Sequence, residues 1–219
     1  MSSTLTYSSM ERGTLTLVTG PSIAPNPPDS AEAIVESDGV RFYIAGSKPW
    51  AACLWKASRS LLPPGGPFTV TMAWEMALDD SPDLNAMEVD LMVSDPLGNV
   101  ANGSGHLLTS TGAWAIVDAN GNWLPTSFVP GVPAPGAWTS YSVTLSIEPA
   151  KGLSAVTNLS SGQQSAALTP LWVPALKLGW NPPLAGLWNA VAQIQPGLMA
   201  SGGACSVKIR NMQITAVWG

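Results

Sequence analysis

The sequence predicts an all-β protein, a two-sheet antiparallel β-sandwich, and three observations point to this fold class. Short segments in which apolar and polar residues alternate recur along the chain, which is typical of strands with one buried face. The 21 Gly and 20 Pro supply many turns. Helical periodicity is weak, and proline is spread through most of the chain. No linker or second hydrophobic unit stands apart, so we predict one domain spanning residues 1–219.

The first part of the chain reads as strands joined by a proline-rich loop. Residues 14–20, TLTLVTG, are the first strand signal, and residues 21–30, PSIAPNPPDS, are the loop. The next stretch, AEAIVESDGVRFYIAG, predicts a hairpin with its turn at Asp38 and Gly39, because these residue types tolerate left-handed backbone angles.

Two segments in the middle of the chain alternate most clearly. They are Phe68–Leu78, FTVTMAWEMAL, and Asn85–Asp95, NAMEVDLMVSD. Only a short loop rich in Asp, Ser and Pro separates them, so we predict that they pair as an antiparallel hairpin with their apolar residues on one side. In that arrangement three acids, Glu75, Glu88 and Asp90, emerge together on the other side.

The second half of the chain continues the strand pattern. WAIVDANGNW predicts a second hairpin, Trp138–Glu148 predicts a strand, and Gly186–Gly197 favours a strand over a short helix. The closing segment, CSVKIRNMQITAVWG, alternates but changes phase in its middle, which predicts a β-bulge near Asn211.

Composition narrows the class of partner. Asp, Glu, Lys and Arg make up only 11% of the chain, the net charge is −5, and the nine basic residues are scattered. No basic cluster follows a phosphate backbone, so nucleic acid is not an expected partner. No apolar run reaches membrane-spanning length, so a membrane is not expected either. Low charge together with ten Trp favours a neutral, polar ligand.

The cysteines and the N-terminus bear on the compartment. Cys53 and Cys205 lie far apart in sequence, and a disulfide between them or two buried free thiols fit the pattern equally. The N-terminus lacks a basic start followed by an apolar stretch, so no signal peptide is visible. A secreted or extracellular location is the favoured expectation, and the oligomeric state is left open.

Several pieces of the chain carry a resemblance to a known superfamily. GGPFTVTMAWEMAL, then WAIVDANGNW followed by GAWTSYSVTLSIE, and finally SVKIRNMQITAVWG resemble successive strands of the concanavalin A-like lectins and glucanases. The similarity is spread over most of the chain and lies in the strand pattern. It implies a jelly-roll sandwich and a carbohydrate ligand, either an oligosaccharide or a polysaccharide.

One short piece, EVDLM, resembles the catalytic strand of laminarinase- and lichenase-type glycoside hydrolases. The resemblance implies that Glu88 matches the nucleophile and Asp90 the residue that assists it. The acid/base position falls on Met92 or Val93, and neither side chain can transfer a proton. The family mechanism therefore lacks its second carboxyl at this strand.

Glu75 is the candidate replacement for that second carboxyl. Directly opposed residues on antiparallel strands lie about 4.5–5.5 Å apart at Cβ, so the predicted hairpin brings Glu75 close to Glu88. Retaining glycosidases hold their two carboxyl groups about 5–5.5 Å apart. The alternative is that these acids are ordinary solvent-facing strand residues bonded to polar neighbours.

Tryptophans near strand ends are the candidate sugar-stacking residues. Flat apolar rings stack on the C–H faces of sugars while amide side chains bond the hydroxyls. The predicted ligand-contacting residues are Trp114, Trp123, Trp180, Trp188 and Gln193, with Trp172, Asn181, Asn189 and Gln195 as further candidates. The alternative for each ring is core packing, which we expect for more than half of them.

Metal binding receives little support from the sequence. No Cys/His spacing typical of a metal site is present, and the lone His106 reads as structural or exposed. The acidic loop with Asp79, Asp80 and Asp83 offers oxygen ligands for Ca²⁺, although a solvated loop is the simpler interpretation. We therefore predict no required cofactor.

Three functional hypotheses follow. The first is a lectin-like jelly roll that binds carbohydrate in a polar and aromatic cleft. The second is a retaining β-glycan hydrolase with Glu88 as nucleophile and Glu75 as acid/base. The third is a structural or assembly β-sandwich in which the tryptophans make subunit contacts.

Overall fold

The computed structural model describes residues 2–7, 15–61, 66–79, 86–95, 100–108, 112–117, 122–151, 153–167, 173–174, 188–198 and 202–218. Within them lie seventeen strands and a 3-10 turn at Pro149–Lys151. The strands are β1 (Ser2–Tyr7), β2 (Thr16–Val18), β3 (Ser30–Glu36), β4 (Gly39–Gly46), β5 (Ala51–Ala52), β6 (Leu54–Leu61), β7 (Phe68–Leu78), β8 (Ala86–Ser94), β9 (Val100–Leu108), β10 (Trp114–Val117), β11 (Trp123–Pro125), β12 (Thr139–Glu148), β13 (Leu153–Ser161), β14 (Gln164–Ala167), β15 (Val173–Pro174), β16 (Trp188–Leu198) and β17 (Gly203–Trp218).

The strands form two antiparallel sheets. The first sheet has nine strands in the order β14-β13-β12-β7-β17-β4-β3, with β1 on the second half of β17 and β15 on β13. The second has eight strands in the order β11-β10-β9-β8-β16-β6-β2, with β5 on β16. The predicted all-β, two-sheet antiparallel class is therefore confirmed.

The core lies between the sheets and follows from the alternation of the strands. Every second residue of β7 is buried from Phe68 onward, and β16 has the same buried pattern from Trp188 onward. One cluster of buried apolar side chains joins both sheets. Its largest fully buried members include Trp74, Trp114, Trp188, Tyr141, Phe42, Ile44 and Met72. Burial of apolar area stabilises such a core by about 25 cal/mol per Å².

The predicted pairing of β7 with β8 is wrong. β7 lies in the first sheet between β12 and β17, whereas β8 lies in the second sheet between β9 and β16. The apolar faces of the two strands do share the core, but from opposite sides of it. Alternation identifies the buried face of a strand and says nothing about whether its neighbour is beside it or across the core.

Several local predictions are confirmed. The hairpin of β3 and β4 turns after Glu36, which pairs with Gly39, and Gly39 has a φ of 154°. The β10–β11 pair is antiparallel, as predicted, and residues 188–198 form a strand. The bulge near Asn211 is present: the β17–β7 register shifts between Arg210 and Gln213, and Asn211 has a φ of 52°.

The two cysteines are free thiols, both buried in the core. The structure thus selects the second of the two alternatives that the sequence left open. Burial, with a smaller contribution from the neighbouring Cys205, raises the pKa of Cys53 to about 12. A thiol of this kind stays protonated and packs as a small apolar group.

Within the part of the chain that the structure describes, no helix is both long and apolar enough to cross a membrane.

Candidate functional site

The outer side of the second sheet carries the Glu-x-Asp strand, and we call it the Glu88 face. Val89 and Leu91 point into the core, so Glu88 and Asp90 point away from it. The β8–β16 register places Gln195 opposite Glu88 and Gln193 opposite Asp90. The Glu88 face is defined by these four residues and their outward neighbours on β6 and β9.

The neighbouring strands extend these rows with small and polar residues. Lys56 on β6 lies opposite Gln193 and continues the Asp90 row. On the other side of β8, Gly105 lies opposite Asp90 and Gly103 opposite Met92, so β9 places no side chain on the face at these positions. Both glycines are buried in the folded chain, so their backbone is not open to solvent.

A second polar pair lies further along the same face. Asn189 on β16 stands opposite Ser60 on β6, and the Ser60 hydroxyl donates a hydrogen bond of 3.4 Å to the Asn189 side-chain oxygen. Between this pair and the Asp90 row, Val191 and Met92 face each other across β16 and β8. The face therefore alternates between hydrogen-bonding rows and a half-buried apolar row.

Asp90 is the most unusual group on this face. Its side chain points outward, yet the residue is only 2% exposed, and its Oδ1 atom has no hydrogen-bond partner among the described residues. Burial raises the pKa of Asp90 well above the ordinary value, and the negative charge of Glu88 and a hydrogen bond with Glu88 add to the rise. Asp90 is therefore a neutral acid over a wider pH range than an exposed aspartate.

The outer side of the first sheet, which carries Glu75, is chemically different, and we call it the Glu75 face. Arg210 on β17 lies directly opposite Glu75, and its Nε donates to Oε2 at 2.6 Å. Asn211, turned outward by the bulge, donates to Oε1 at 3.0 Å. These hydrogen bonds, that of Asn211 first and that of Arg210 second, lower the pKa of Glu75.

Glu75 and Glu88 are not brought together. They point outward from different sheets, and facing sheets in a sandwich lie about 10 Å apart, so the carboxyls are separated by more than the thickness of the core. A glycosidic bond cannot lie between them, because even inverting enzymes hold their carboxyls within about 9.5 Å. The predicted pair of Glu88 as nucleophile and Glu75 as acid/base is therefore wrong in its geometry.

Two of the predicted stacking tryptophans belong to the core. Trp114 and Trp188 have no exposed surface, and their rings pack against other aromatic rings. Trp188 makes an edge contact with Phe68 at 5.3 Å, and Trp114 lies 5.9 Å from Trp74 between ring centroids. Their place in the strand alternation makes both rings inward, so they cannot stack on a ligand at the surface.

The remaining predicted contacts have mixed outcomes. Gln193 lies half-buried on the Glu88 face, and its contact with a ligand stays a prediction. Trp123 is the first residue of β11, at one edge of the second sheet. Trp172, Trp180 and Asn181 lie outside the described residues.

The acidic loop offers no calcium site in the residues described. Asp79 accepts hydrogen bonds from Arg41 and from the Ser206 hydroxyl, which occupy its carboxylate. Asp80 and Asp83 lie outside the described residues. In the described ranges, no group of three or more His, Cys, Asp or Glu side chains is placed to hold a metal ion.

One exposed aromatic residue is absent from the predicted contacts. Trp50 is 55% exposed and has a φ of 57°, a left-handed value that is rare for a bulky residue. The nearest sequence signal is Pro49 just before it, because proline marks a turn, but a turn signal does not determine whether the next side chain is exposed.

Solved structures with the same architecture include lectins and a lyase. Peanut lectin, solved with a nine-residue peptide, has a TM-score of 0.56 and 11% identity, covering 99% of this chain and 98% of that one. Lectin UEA-II, solved with galactose, has a TM-score of 0.51 and 10% identity, covering 98% of each chain. A family 7 alginate lyase, A1-II′, solved with product, has a TM-score of 0.50 and 11% identity, covering 83% and 82%.

These similarities show that the chain has the concanavalin A-like jelly-roll fold that its strand pattern predicts. Neither the protein-family models nor the curated proteins gave a match to the sequence. At such low identity the shared feature is the fold, and the function must be argued from the residues on its surfaces.

Proposed function

We propose that this protein binds an oligosaccharide or polysaccharide through the Glu88 face. The observation that carries the proposal is the set of four polar side chains in two adjacent rows, Glu88 with Gln195 and Asp90 with Gln193. Carboxyl oxygens accept hydrogen bonds, and amides both donate and accept them. Sugar hydroxyls need both functions, so the face suits a neutral ligand.

The fold is compatible with this ligand class. Among the solved structures of the same fold, one lectin is described with galactose and one with Tn-antigen. The low charge of the chain agrees, because a neutral ligand gains little from ionic contacts. Glu88 is half-buried, whereas the nearly buried Asp90 in the next row shares a hydrogen bond with it and acts as a positioning residue for the Glu88 carboxyl.

Sugar hydrolysis is not part of the proposal. The two carboxyls that the described Glu88 face offers, Glu88 and Asp90, share a hydrogen bond with each other. A glycosidic bond needs carboxyls about 5 Å apart or more, with the scissile atoms between them. Met92, at the acid/base position of the resembling hydrolases, faces outward and has no proton to give.

The test combines a glycan array with titration calorimetry on the purified protein. Glu88→Gln and Gln193→Ala should each weaken binding of the selected glycan by about two- to tenfold, because a hydrogen bond contributes about 0.5–1.5 kcal/mol. Glu75→Gln is the matched control, since it makes the same chemical change on the other outer face. It should leave affinity unchanged.

Three results would count against the proposal. Binding that falls equally in Glu75→Gln and Glu88→Gln would remove the Glu88 face as the site. Release of reducing ends from a β-glucan panel, lost in Glu88→Gln, would establish a hydrolase instead. No response to any glycan, together with a discrete oligomer in solution, would favour the structural module.

A further inference from the structure

Trp50 combines exposure with an unfavourable backbone conformation. More than half of its surface, 55%, is open to solvent, although tryptophan is usually well buried in a folded chain. Its φ of 57° lies in the left-handed region that glycine adopts easily and bulky residues avoid. The unfavourable backbone conformation of Trp50 therefore accompanies an exposed indole ring, not a buried one.

The loop that carries Trp50 is held in place on both sides. The backbone N–H of Ser47 donates to Oδ2 of Asp29 at 2.7 Å, and Nδ2 of Asn26 donates to the carbonyl of Pro49 at 2.7 Å. On a third side the backbone packs closely, because a Cβ built on Gly202 would lie 2.6 Å from the Gly46 carbonyl oxygen. The loop is therefore fixed by contacts that do not involve the ring itself.

A rigid, exposed aromatic ring has the properties of a binding platform. Tryptophan has two side-chain torsions, so little conformational entropy is lost when a ligand covers it. The anchored backbone lowers that cost further, because the loop does not need to become ordered on binding. Strained backbone held by its surroundings is typical of ligand clamps.

The position of Trp50 relates it to the Glu88 face. Trp50 directly precedes β5, whose Ala51 and Ala52 pair with Leu198 and Gly197 at the end of β16. The same strand carries Gln195, which lies opposite Glu88. Ala51, the residue after Trp50, lies opposite Leu198, which is three residues from Gln195 along β16, or about 10 Å at the rise of a strand.

We propose that Trp50 is a stacking platform for the apolar face of a pyranose ring, at the end of a site whose other end is the Glu88 face. The inference rests on the proposed function, and it identifies the ligand as an extended oligosaccharide rather than a single sugar. The C–H groups on one face of a pyranose pack on the indole, while hydroxyls of a more distant unit reach Glu88 and Gln195.

The experiment uses a β-glucan oligosaccharide series from monosaccharide to hexasaccharide, titrated by calorimetry and by tryptophan fluorescence. Trp50→Gly is the main variant, because glycine relieves the left-handed backbone and the variant should fold at least as well as the parent chain. It should bind the longest oligosaccharides at least tenfold more weakly and the shortest ones unchanged. Trp50→Phe, which keeps a flat ring, should recover part of the loss.

The control is Trp138→Phe, since Trp138 is a partly exposed tryptophan stacked by Arg210 on the Glu75 face. It should leave affinity at every length unchanged, whereas Trp50→Gly should abolish the sugar-induced fluorescence change. If Glu88→Gln weakens binding but Trp50→Gly does not at any length, the platform is overturned and the proposed function stands. If no β-glucan or other glycan binds the parent protein, both are overturned.

Discussion

The two outer faces of this sandwich each carry an acidic residue, Glu75 on one and Asp90 on the other, and the pKa values of these two residues are shifted in opposite directions. On the Glu75 face, the acid meets Arg210 across β7 and β17 and an amide from Asn211, and its pKa is lowered. On the Glu88 face, Asp90 meets Gln193 across β8 and β16, has an orphaned oxygen, and has a raised pKa. On the first face the acid is paired with a cation, whereas on the second the acid is buried opposite a neutral amide.

The difference originates in burial and in the neighbouring groups: Asp90 is buried beside Glu88, whereas Glu75 accepts hydrogen bonds from Asn211 and Arg210. Both β7 and β8 alternate cleanly and both turn acids away from the core. The opposing residue differs as well: it is a cation for Glu75 and a neutral amide for Asp90, as set by long-range pairing with β17 or β16. An acid paired with a cation is stabilised in its charged form, whereas a buried acid without one favours its neutral form.

The Glu75 face extends this pattern of internal pairing. Arg41 binds both Glu36 and Asp79, and Lys208 binds Glu36 at 2.8 Å. Hydrogen bonds from Arg41 and Lys208 lower the pKa of Glu36 to about 2. In the same sheet, hydroxyls of β12 pair with those of its neighbours, as in the Thr71–Thr144 contact of 2.9 Å. Such a surface offers a ligand few groups that are not already bonded.

The largest expected effect tests the core that separates the two faces. Trp188→Ala should lower the free energy of unfolding by about 3–5 kcal/mol, because it removes a fully buried ring that packs on Phe68. Urea denaturation monitored by circular dichroism measures this loss. Trp50→Gly is the comparison and should change stability by less than about 1 kcal/mol. A small effect of Trp188→Ala would contradict the core position of Trp188 and would make this ring a candidate ligand contact again.

The second prediction separates the faces by their response to pH. Because the folded-state pKa of Asp90 is raised, its contribution to stability is full below the unfolded value of about 3.9 and is lost as pH rises through the folded value. Asp90→Asn removes this dependence and keeps a side chain that can donate to Glu88. At pH 8 the variant should be more stable than the parent by about 1–3 kcal/mol.

Urea unfolding at pH 3 to 8 measures how the free energy of unfolding depends on pH, both for the parent chain and for Asp90→Asn. The Glu75→Gln control should behave in the opposite sense, because a lowered pKa contributes stability above the unfolded value and loses it as pH falls. An Asp90→Asn variant that is less stable than the parent at pH 8 would mean that Asp90 is ionised and paired.

The smallest expected effect concerns the ion pair on the Glu75 face. Arg210→Ala removes the bond to Glu75 and the guanidinium that lies 4.0 Å above the Trp138 ring. A partly exposed pair and an exposed cation–π contact together give a loss of about 1–2 kcal/mol at neutral pH. The loss should shrink in high salt and below the pKa of Glu75, where the carboxyl is protonated.

Lys151→Ala is the matched control for this measurement. Lys151 pairs with Glu148 at 2.5 Å, but its side chain is 66% exposed, so its removal should cost less than about 0.5 kcal/mol. Equal effects of the two substitutions would show that the Arg210–Glu75 pair contributes no more to stability than an exposed ion pair does.

Local patterns in the amino-acid sequence specify the strands, their buried sides and several turns and bulges. Alternation in Phe68–Leu78 identifies its core residues, and the phase change at Asn211 identifies a bulge, because side-chain direction in an extended chain repeats every two residues. The outward direction of Glu88, Asp90 and Gln193 was also predictable for the same reason. These properties depend on a few neighbouring residues and need no knowledge of distant ones.

Long-range contacts in the folded chain set which strands pair and therefore which side chains meet. The apolar face of β8 would be equally buried if β8 lay beside β7 or across the core from it. Long-range pairing places β8 in the other sheet, so Glu75 and Glu88 lie on opposite outer faces. Pairing also buried Trp114 and Trp188, placed amides rather than cations beside the Glu88–Asp90 pair, and displayed Trp50. Period-two alternation shows which side of a strand is buried, but it does not show which other strand pairs with it.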